Sequence, residues 1–248
     1  MILILTDTAS DISLDYALKE DISLVSMKVN INNKEYIDKA RQIYDDWIWP
    51  TWGPEDEAPW FGGITWKTDV DKSKNACSNG PAALVAARLY RFFDQAQFKD
   101  GKVRNAYLNE AIKIFTWEKN VLFDRNSGAV YDNINAKGEI QKNWIFTYNA
   151  GTFLGAAHEL YLITGDKQYL DDAVLAGRYV TEQLAKNGIL PDATSGDGGL
   201  FHGIFFRYFV KLINEETLEI GVRKKFHDWF TNLATVMVEL GVNSITML

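Results

Sequence analysis

Apolar residues recur along most of the chain at helical spacing, and the spacing repeats. "YIDKARQIYDDW" from Tyr36, "YLNEAIKIFTWE" from Tyr107 and "YLDDAVLAGRYV" from Tyr169 share a Tyr-(Ile/Leu)-x-x-Ala opening. Each continues with apolar positions three and four apart, the mark of an amphipathic helix. Between and after them lie helices richer in small and apolar residues: "NGPAALVAARLYRFF", "NAGTFLGAAHELYLITG" and "GGLFHGIFFRYFVKLI". A last amphipathic helix around "VRKKFHDWFTNLATVMVEL" closes the series. Amphipathic members suit an outer layer and small-residue members an inner one, so the predicted order is outer, inner, outer, inner, outer, inner, outer. Inner-to-outer links are short, which makes successive helices antiparallel. Outer-to-inner links run from roughly ten to roughly thirty residues and, in stacked hairpins, all fall on one rim.

Upstream the period changes from helical to two. Val25, Met27, Val29 and Ile31 alternate after an apolar run at the N-terminus, so residues 1–35 read as strand, short helix, strand. The chain is thus expected to hold a small βαβ-like segment (1–35) and a helical domain (36–248).

On a wheel of about 100° per residue, Ala40, Ile43, Tyr44, Trp47 and Ile48 share one apolar arc. Trp47 and Ile48 are then expected to pack, with Asp45 and Asp46 facing solvent. The same construction turns Asp171 and Asp172 away from Leu170, Ala173, Gly177 and Leu184.

Composition narrows the function by exclusion. A net charge of −7 disfavours nucleic acid or an anionic membrane surface, each of which wants a basic patch. No apolar run reaches membrane-spanning length, and "MILILTDTAS" lacks a signal peptide's basic flank and apolar core, so the expected location is the cytoplasm. Cys77 is the single cysteine, and His158, His202 and His227 have no ligand spacing, so no metal and no cofactor are expected. The aromatic share, 13% with 8 Trp and 11 Tyr, supplies either core or flat platforms for sugar rings.

The rim sequences bear on that choice. The first long link and the helix start after it carry Trp60, Trp66, Asn75 and Asn79. The second carries Tyr131, Asp132, Trp144, Tyr148 and Asn149, and the third Asp192, Asp197, Phe201 and His202. Aromatic planes beside amides and isolated carboxylates suit a neutral polyhydroxylated ligand; a phosphate site would show Lys or Arg at a glycine-rich turn. Each residue also has a structural reading. Asn75, Asn79, Asn149 and Asp197 suit helix caps, Trp66 and Trp144 suit a core, and His158 suits a core or its flank.

Together "GGITW", "KNACSNGPAALVAARLY", "VYDNI", "FTYNAGTFLGAAHELYLITGD", "YLDDA" and "DGGLFHGIFFRY" resemble glycoside hydrolase family 76, the endo-α-1,6-mannanases, over roughly residues 35 to 238. The resemblance implies a mainly α fold, an (α/α)6 barrel, and retaining hydrolysis of α-1,6-mannan without a metal. It places Trp66, Asn75, Asn79, Asp132, Tyr148, Asn149, Asp197 and Phe201 along the sugar cleft. Two positions depart from the family pattern: Ala150 stands where Gln is usual and His202 where Lys is common. The family's catalysts are two adjacent aspartates on an inner helix ahead of the first Tyr-Ile-x-x-Ala helix. Asp45 and Asp46 lie inside that outer helix, so they are not the pair, and no pair lies upstream. Residues 1–35 resemble instead the N-terminus of the DegV fatty-acid-binding family, with Thr6, Asp7 and Thr8 in its Thr-Asp-(Ser/Thr) stretch. Seven of a barrel's twelve helices are expected: an incomplete, truncated (α/α)6 barrel whose unpaired edges invite oligomerisation. The functional expectation is a family 76 relative with weak or absent hydrolysis; the alternatives are a non-catalytic α-mannan or mannooligosaccharide binder and a stranded fragment.

Overall fold

A computed structural model describes residues 33–67, 72–93, 101–193, 198 and 200–245. The expected strand–helix–strand at 1–35 and its DegV-like motif lie outside the described residues, except for residues 33–35, which are helical. The chain divides into two compact units at Ala40. The second, from Arg41, holds every described helix but the one that spans the division.

Seven α-helices are present among the described residues, in the expected order. They are α1 (Asn33–Ile43), α2 (Ala76–Phe93), α3 (Gly101–Val121), α4 (Thr147–Thr164), α5 (Lys167–Arg178), α6 (Phe201–Ile213) and α7 (Ile220–Ile245). Helices α2, α4 and α6 form an inner row, with α4 packed against both others. Helix α3 covers α2 and α4 from outside, α5 covers α4, and α7 closes on α6 through Phe209 and Phe226, whose ring centroids are 4.9 Å apart. Long links on one rim join outer to inner helices. Short turns join inner to outer, as at Gly165–Asp166, where Gly165 takes the left-handed cap of α4 and Asp166 accepts from Gln168 N at 3.0 Å to cap α5.

The central helix, α4, is buried on every side through its first three turns, which fits its lack of a polar stripe. Both of its charge-bearing side chains, His158 and Glu159, are paired. Arg88 and Arg91 of α2 clamp Glu159 at 3.1 and 2.5 Å, and His158 Nε2 meets Glu215 Oε2 at 2.9 Å. Burial works against ionisation of Glu159, yet the two guanidiniums hold its carboxyl below the ordinary value. His158 is thus the core residue expected.

Two features differ from the helical wheel. Residues Tyr44–Ile48 wind as a π-turn, with Trp49 N–H donating to Tyr44 O. The wider turn carries Tyr44 inward to 0% exposure and swings Trp47 outward to 74%, so Trp47 does not pack as the wheel requires. Asp46 is solvated; Asp45, also exposed, accepts from Tyr107 Oη of α3 at 2.8 and 3.0 Å. The second correction is Asp172. Asp171 faces solvent, but Asp172 is buried against the neighbouring outer helix, where Lys119 Nζ lies 2.5 Å from its Oδ2. A wheel with one buried face overlooks outer-to-outer contacts. Burial holds the Asp172 carboxyl above its ordinary value even with Lys119 against it. Lys119→Met alone should therefore cost about 3–5 kcal/mol in urea unfolding, by stranding that carboxylate, while Lys119→Met with Asp172→Leu should fall within about 1 kcal/mol of the parent or above it.

Candidate active site

Two short strands knit the first and second rim loops together. Lys74–Asn75 (β1) pairs antiparallel with Asn133–Ile134 (β2), setting Asn75 opposite Asn133. The first loop reaches β1 through a turn that only glycine permits. Gly62 and Gly63 have φ of 109° and 81°, and a Cβ on Gly63 would lie 2.6 Å from the Trp117 ring. Trp117 Nε1 donates to Trp60 O at 2.8 Å, fixing the loop to α3.

Asp132 is the centre of what these strands bring together. Its backbone N–H donates to Trp144 O, and its carbonyl accepts from Ala76 N, the first residue of α2, at 2.8 Å. Its carboxylate, 5% exposed, accepts from four side chains on three elements. Tyr148 Oη and Asn149 Nδ2 of α4 reach Oδ1, each at 3.1 Å; Asn133 Nδ2 and Asn75 Nδ2 reach Oδ2 at 2.9 and 3.4 Å. All four donors are neutral. The carboxylate is satisfied by hydrogen bonds rather than by a cation.

An aromatic wall adjoins the network. The Tyr148 ring lies 4.3 Å from Phe201 and 5.6 Å from Phe146, centroid to centroid. Burial, then the Asp132 charge, pushes the Tyr148 phenol well above its ordinary pKa, so it remains a hydrogen-bond donor. Burial and the same carboxylate push the Cys77 thiol up to about 11, which leaves it a poor nucleophile.

Of the expected site residues, Asn75, Asp132, Tyr148, Asn149 and Phe201 meet at this point. Asn149 is not a cap, since the residue ahead of α4 is Phe146, with no side-chain cap; Asn75 stands directly ahead of α2, and its Oδ1 accepts from Ser73 Oγ at 2.9 Å. Asn79 is fully buried. It donates to Ile64 O and Asn75 O and accepts from Ile64 N at 2.8 Å, so it braces the glycine loop and presents nothing to a ligand. Trp66 is 44% exposed, under Lys67 at 4.1 Å, and lines a separate groove with Trp47. Trp144 is 54% exposed. Neither tryptophan is core. Asp197 lies outside the described residues.

His202 is committed to structure. Its Nε2–H donates to Pro191 O at 2.9 Å, because a carbonyl only accepts, and Thr147 Oγ1 lies 2.8 Å from Nδ1. The ring ties the third rim loop to the start of α4. Residues missed by the sequence reading are Asn133, Phe146 and Thr147. All three lie inside the family-like motifs, but their roles depend on contacts across the rim. Among the described residues, no group of three or more His, Cys, Asp or Glu gathers to hold a metal ion, and no helix is long and apolar enough to cross a membrane.

Beneath the rim, Glu118 of α3 is wholly buried, and neither carboxylate oxygen has a hydrogen-bond partner among the described residues. Desolvation raises its pKa well above the ordinary 4.5. Below that value both folded and unfolded states hold the proton and the raised pKa costs nothing. As pH climbs past it, the unfolded state ionises first and stability falls. Glu118→Met should therefore be more stable than the parent by about 1–3 kcal/mol at neutral pH, with the gap shrinking toward pH 4. Thermal melts at the two pH values check this.

Comparison with known proteins bears on the family and the fold. The model of glycosyl hydrolase family 76 matches residues 24–240, beginning inside the stretch for which a DegV-like origin was expected. The GH76A α-1,6-mannanase from Salegentibacter sp. HEL1_6 is 38% identical with a TM-score of 0.74, over 85% of this chain and 60% of that one. A variant of that enzyme inactivated at two aspartates, solved in complex with α-1,6-mannotetrose, gives 39% and 0.73, over 83% and 58%. The Lin0763 protein from Listeria innocua is 32% identical with a TM-score of 0.71, over 83% and 55%. No curated protein matches. The chain spans about three-fifths of the length of these relatives. Inner and outer helices in alternation, the family-like motifs in order and a family match over most of the residues agree: the chain belongs to glycosyl hydrolase family 76, and its fold is an incomplete (α/α)6 barrel.

Proposed function

We propose that the rim around Asp132 binds a short run of α-1,6-linked mannose and that this chain cleaves it weakly or not at all. The observation that carries the reading is the Asp132 network beside the Tyr148–Phe201 wall. An aromatic face covers the C–H side of a sugar ring, while fixed amide, phenol and carboxylate groups take its hydroxyls. The bound α-1,6-mannotetrose of the Salegentibacter variant supports the choice of sugar.

Weak cleavage follows from the carboxylates. Retention needs two carboxyl groups about 5–5.5 Å apart, one acting as nucleophile and one as acid/base. The four neutral donors around Asp132 hold it as a fixed acceptor. Asp45 is engaged with Tyr107 on an outer helix, and Asp46 is solvated. The remaining adjacent pair, Asp171 and Asp172, sits on α5, with Asp172 held by Lys119. Calorimetry with α-1,6-mannotetraose should give saturable binding that weakens about tenfold in Tyr148→Ala. Absence of binding in the parent chain would remove this reading.

A further inference from the structure

Two buried polar groups beneath the rim have complementary needs. Asn149 of α4 is wholly buried and gives Nδ2–H to Asp132 Oδ1 at 3.1 Å. The reverse orientation of the amide would set two acceptor oxygens against each other, so its Oδ1 is turned from that carboxylate. This Oδ1 has no hydrogen-bond partner among the described residues. Glu118 of α3, equally buried, is in the same condition at both carboxyl oxygens.

Packing places the two groups in one layer. Phe115 and Phe123 stand on either side of Glu118 in sequence, and both rings stack on Phe153 of α4, at 4.9 and 4.4 Å between centroids. Phe153 is one helical turn past Asn149 on the same face of α4. Cys77 of α2 gives a second bearing. After burial, the charges that push its thiol up are those of Asp132 and Glu118, so the Glu118 carboxyl lies within electrostatic reach of a thiol that Asp132 also faces.

The surroundings decide which form Glu118 takes. Among the described residues no cation pairs with it, and Lys119, next in sequence, is held by Asp172. Stripping water from a lone carboxylate costs far more than burying the acid with its proton. A protonated carboxyl is a donor as well as an acceptor, and can supply the hydrogen that Asn149 Oδ1 needs. The two groups are not in direct hydrogen-bond contact. A single water is the fitting connector, since buried waters sit among two to four polar groups.

We propose that Glu118 is a positioning residue: as a neutral acid it donates to one buried water, the water donates to Asn149 Oδ1, and the chain keeps the Asn149 amide turned to Asp132. Donor and acceptor match at every link. The Glu118 O–H gives to the water oxygen, the water gives to the amide oxygen, and the amide N–H gives to the Asp132 carboxylate. A buried acid that weakens the fold is then kept for what it does to the rim, a trade of stability for site geometry. The inference rests on the Asp132 network; only the binding measurement below rests on the sugar reading as well.

Infrared spectra in heavy water at neutral pH test the first link. Subtracting the Glu118→Gln spectrum from that of the parent should leave the carbonyl band of a protonated carboxyl, above the backbone amide band. The side-chain amide resonances of Asn149, assigned by their loss in Asn149→Ser, test the second. They should be one sharp pair in the parent and in Glu118→Gln, whose amide still donates, and a broadened or displaced pair in Glu118→Met. Calorimetry reads the consequence. Glu118→Met should melt higher than the parent, since one water bridge offsets only part of the cost of the buried acid, yet bind α-1,6-mannotetraose about fivefold more weakly. Glu118→Gln should bind within about twofold of the parent. A residue with a merely structural role would move melting and binding in the same direction. A difference spectrum without the carboxyl band, Asn149 resonances unchanged in Glu118→Met, or full binding by that variant would overturn the proposal. A parent that binds no mannotetraose removes the sugar reading, and the two spectra then decide the proposal alone.

Discussion

Asp132→Ala is expected to destabilise the fold by about 3–5 kcal/mol and to abolish measurable sugar binding. The substitution removes one acceptor group and strands donors on Tyr148, Asn149, Asn133 and Asn75. A buried donor without its partner costs about 1–3 kcal/mol, and the losses partly overlap because the groups form one network. Asp132→Asn keeps the shape and one carbonyl acceptor, so Tyr148 and Asn149 can stay bonded, but its amide confronts two other amide donors. Its cost should be about half as large. Urea unfolding of the two variants, read beside calorimetry, separates the network's structural contribution from its contribution to binding. Equal stability of Asp132→Ala and the parent would contradict the geometry described for this site.

The second large effect is expected at Gly151→Ala. In most helices that exchange stabilises by about 1 kcal/mol. Here the new methyl would lie 2.6 Å from Phe205 Cα, 3.0 Å from Phe205 N and 3.1 Å from Ile204 O. Those are backbone atoms, which cannot rotate away as a side-chain end can, so α4 and α6 must separate. The net loss should be about 2–3 kcal/mol. Because Thr147 and Tyr148 of α4 contact His202 and Phe201 of α6, the same shift should weaken sugar binding. Gly165→Ala makes a useful contrast. It meets no neighbour within 4 Å, but its φ of 71° strains an alanine, so it should cost about 1 kcal/mol and leave binding intact.

Helix number, order and the position of the long links were legible because they follow from local periodicity. The Tyr-(Ile/Leu)-x-x-Ala repeat at Tyr36, Tyr107 and Tyr169 marks helices α1, α3 and α5. The meeting of Asp132, Tyr148 and Asn149 was also legible, as they share one link and the helix that follows it. What was hidden depends on contacts distant in sequence. Asn133 matters because β1 brings Asn75 beside it, a pairing that one sequence does not display. Asp172 reads as solvated until α3 supplies Lys119. Trp47 reads as packed because a wheel assumes an unbroken α-helix, and the π-turn at Tyr44–Ile48 breaks that assumption. Asn79 had the composition of a ligand residue and the position of a brace. Its depth below the rim decided which.

The central claim is that the Asp132 rim holds α-1,6-linked mannose without efficient cleavage. Proton NMR of α-1,6-mannotetraose mixed with the chain reads both halves at once. The account expects the sugar resonances to broaden on addition of protein, to stay sharp with Tyr148→Ala, and the reducing-end anomeric intensity to remain constant over a day. Sharp lines with the parent chain, or a steady growth of new reducing-end signal at a glycosidase-like rate, would contradict it.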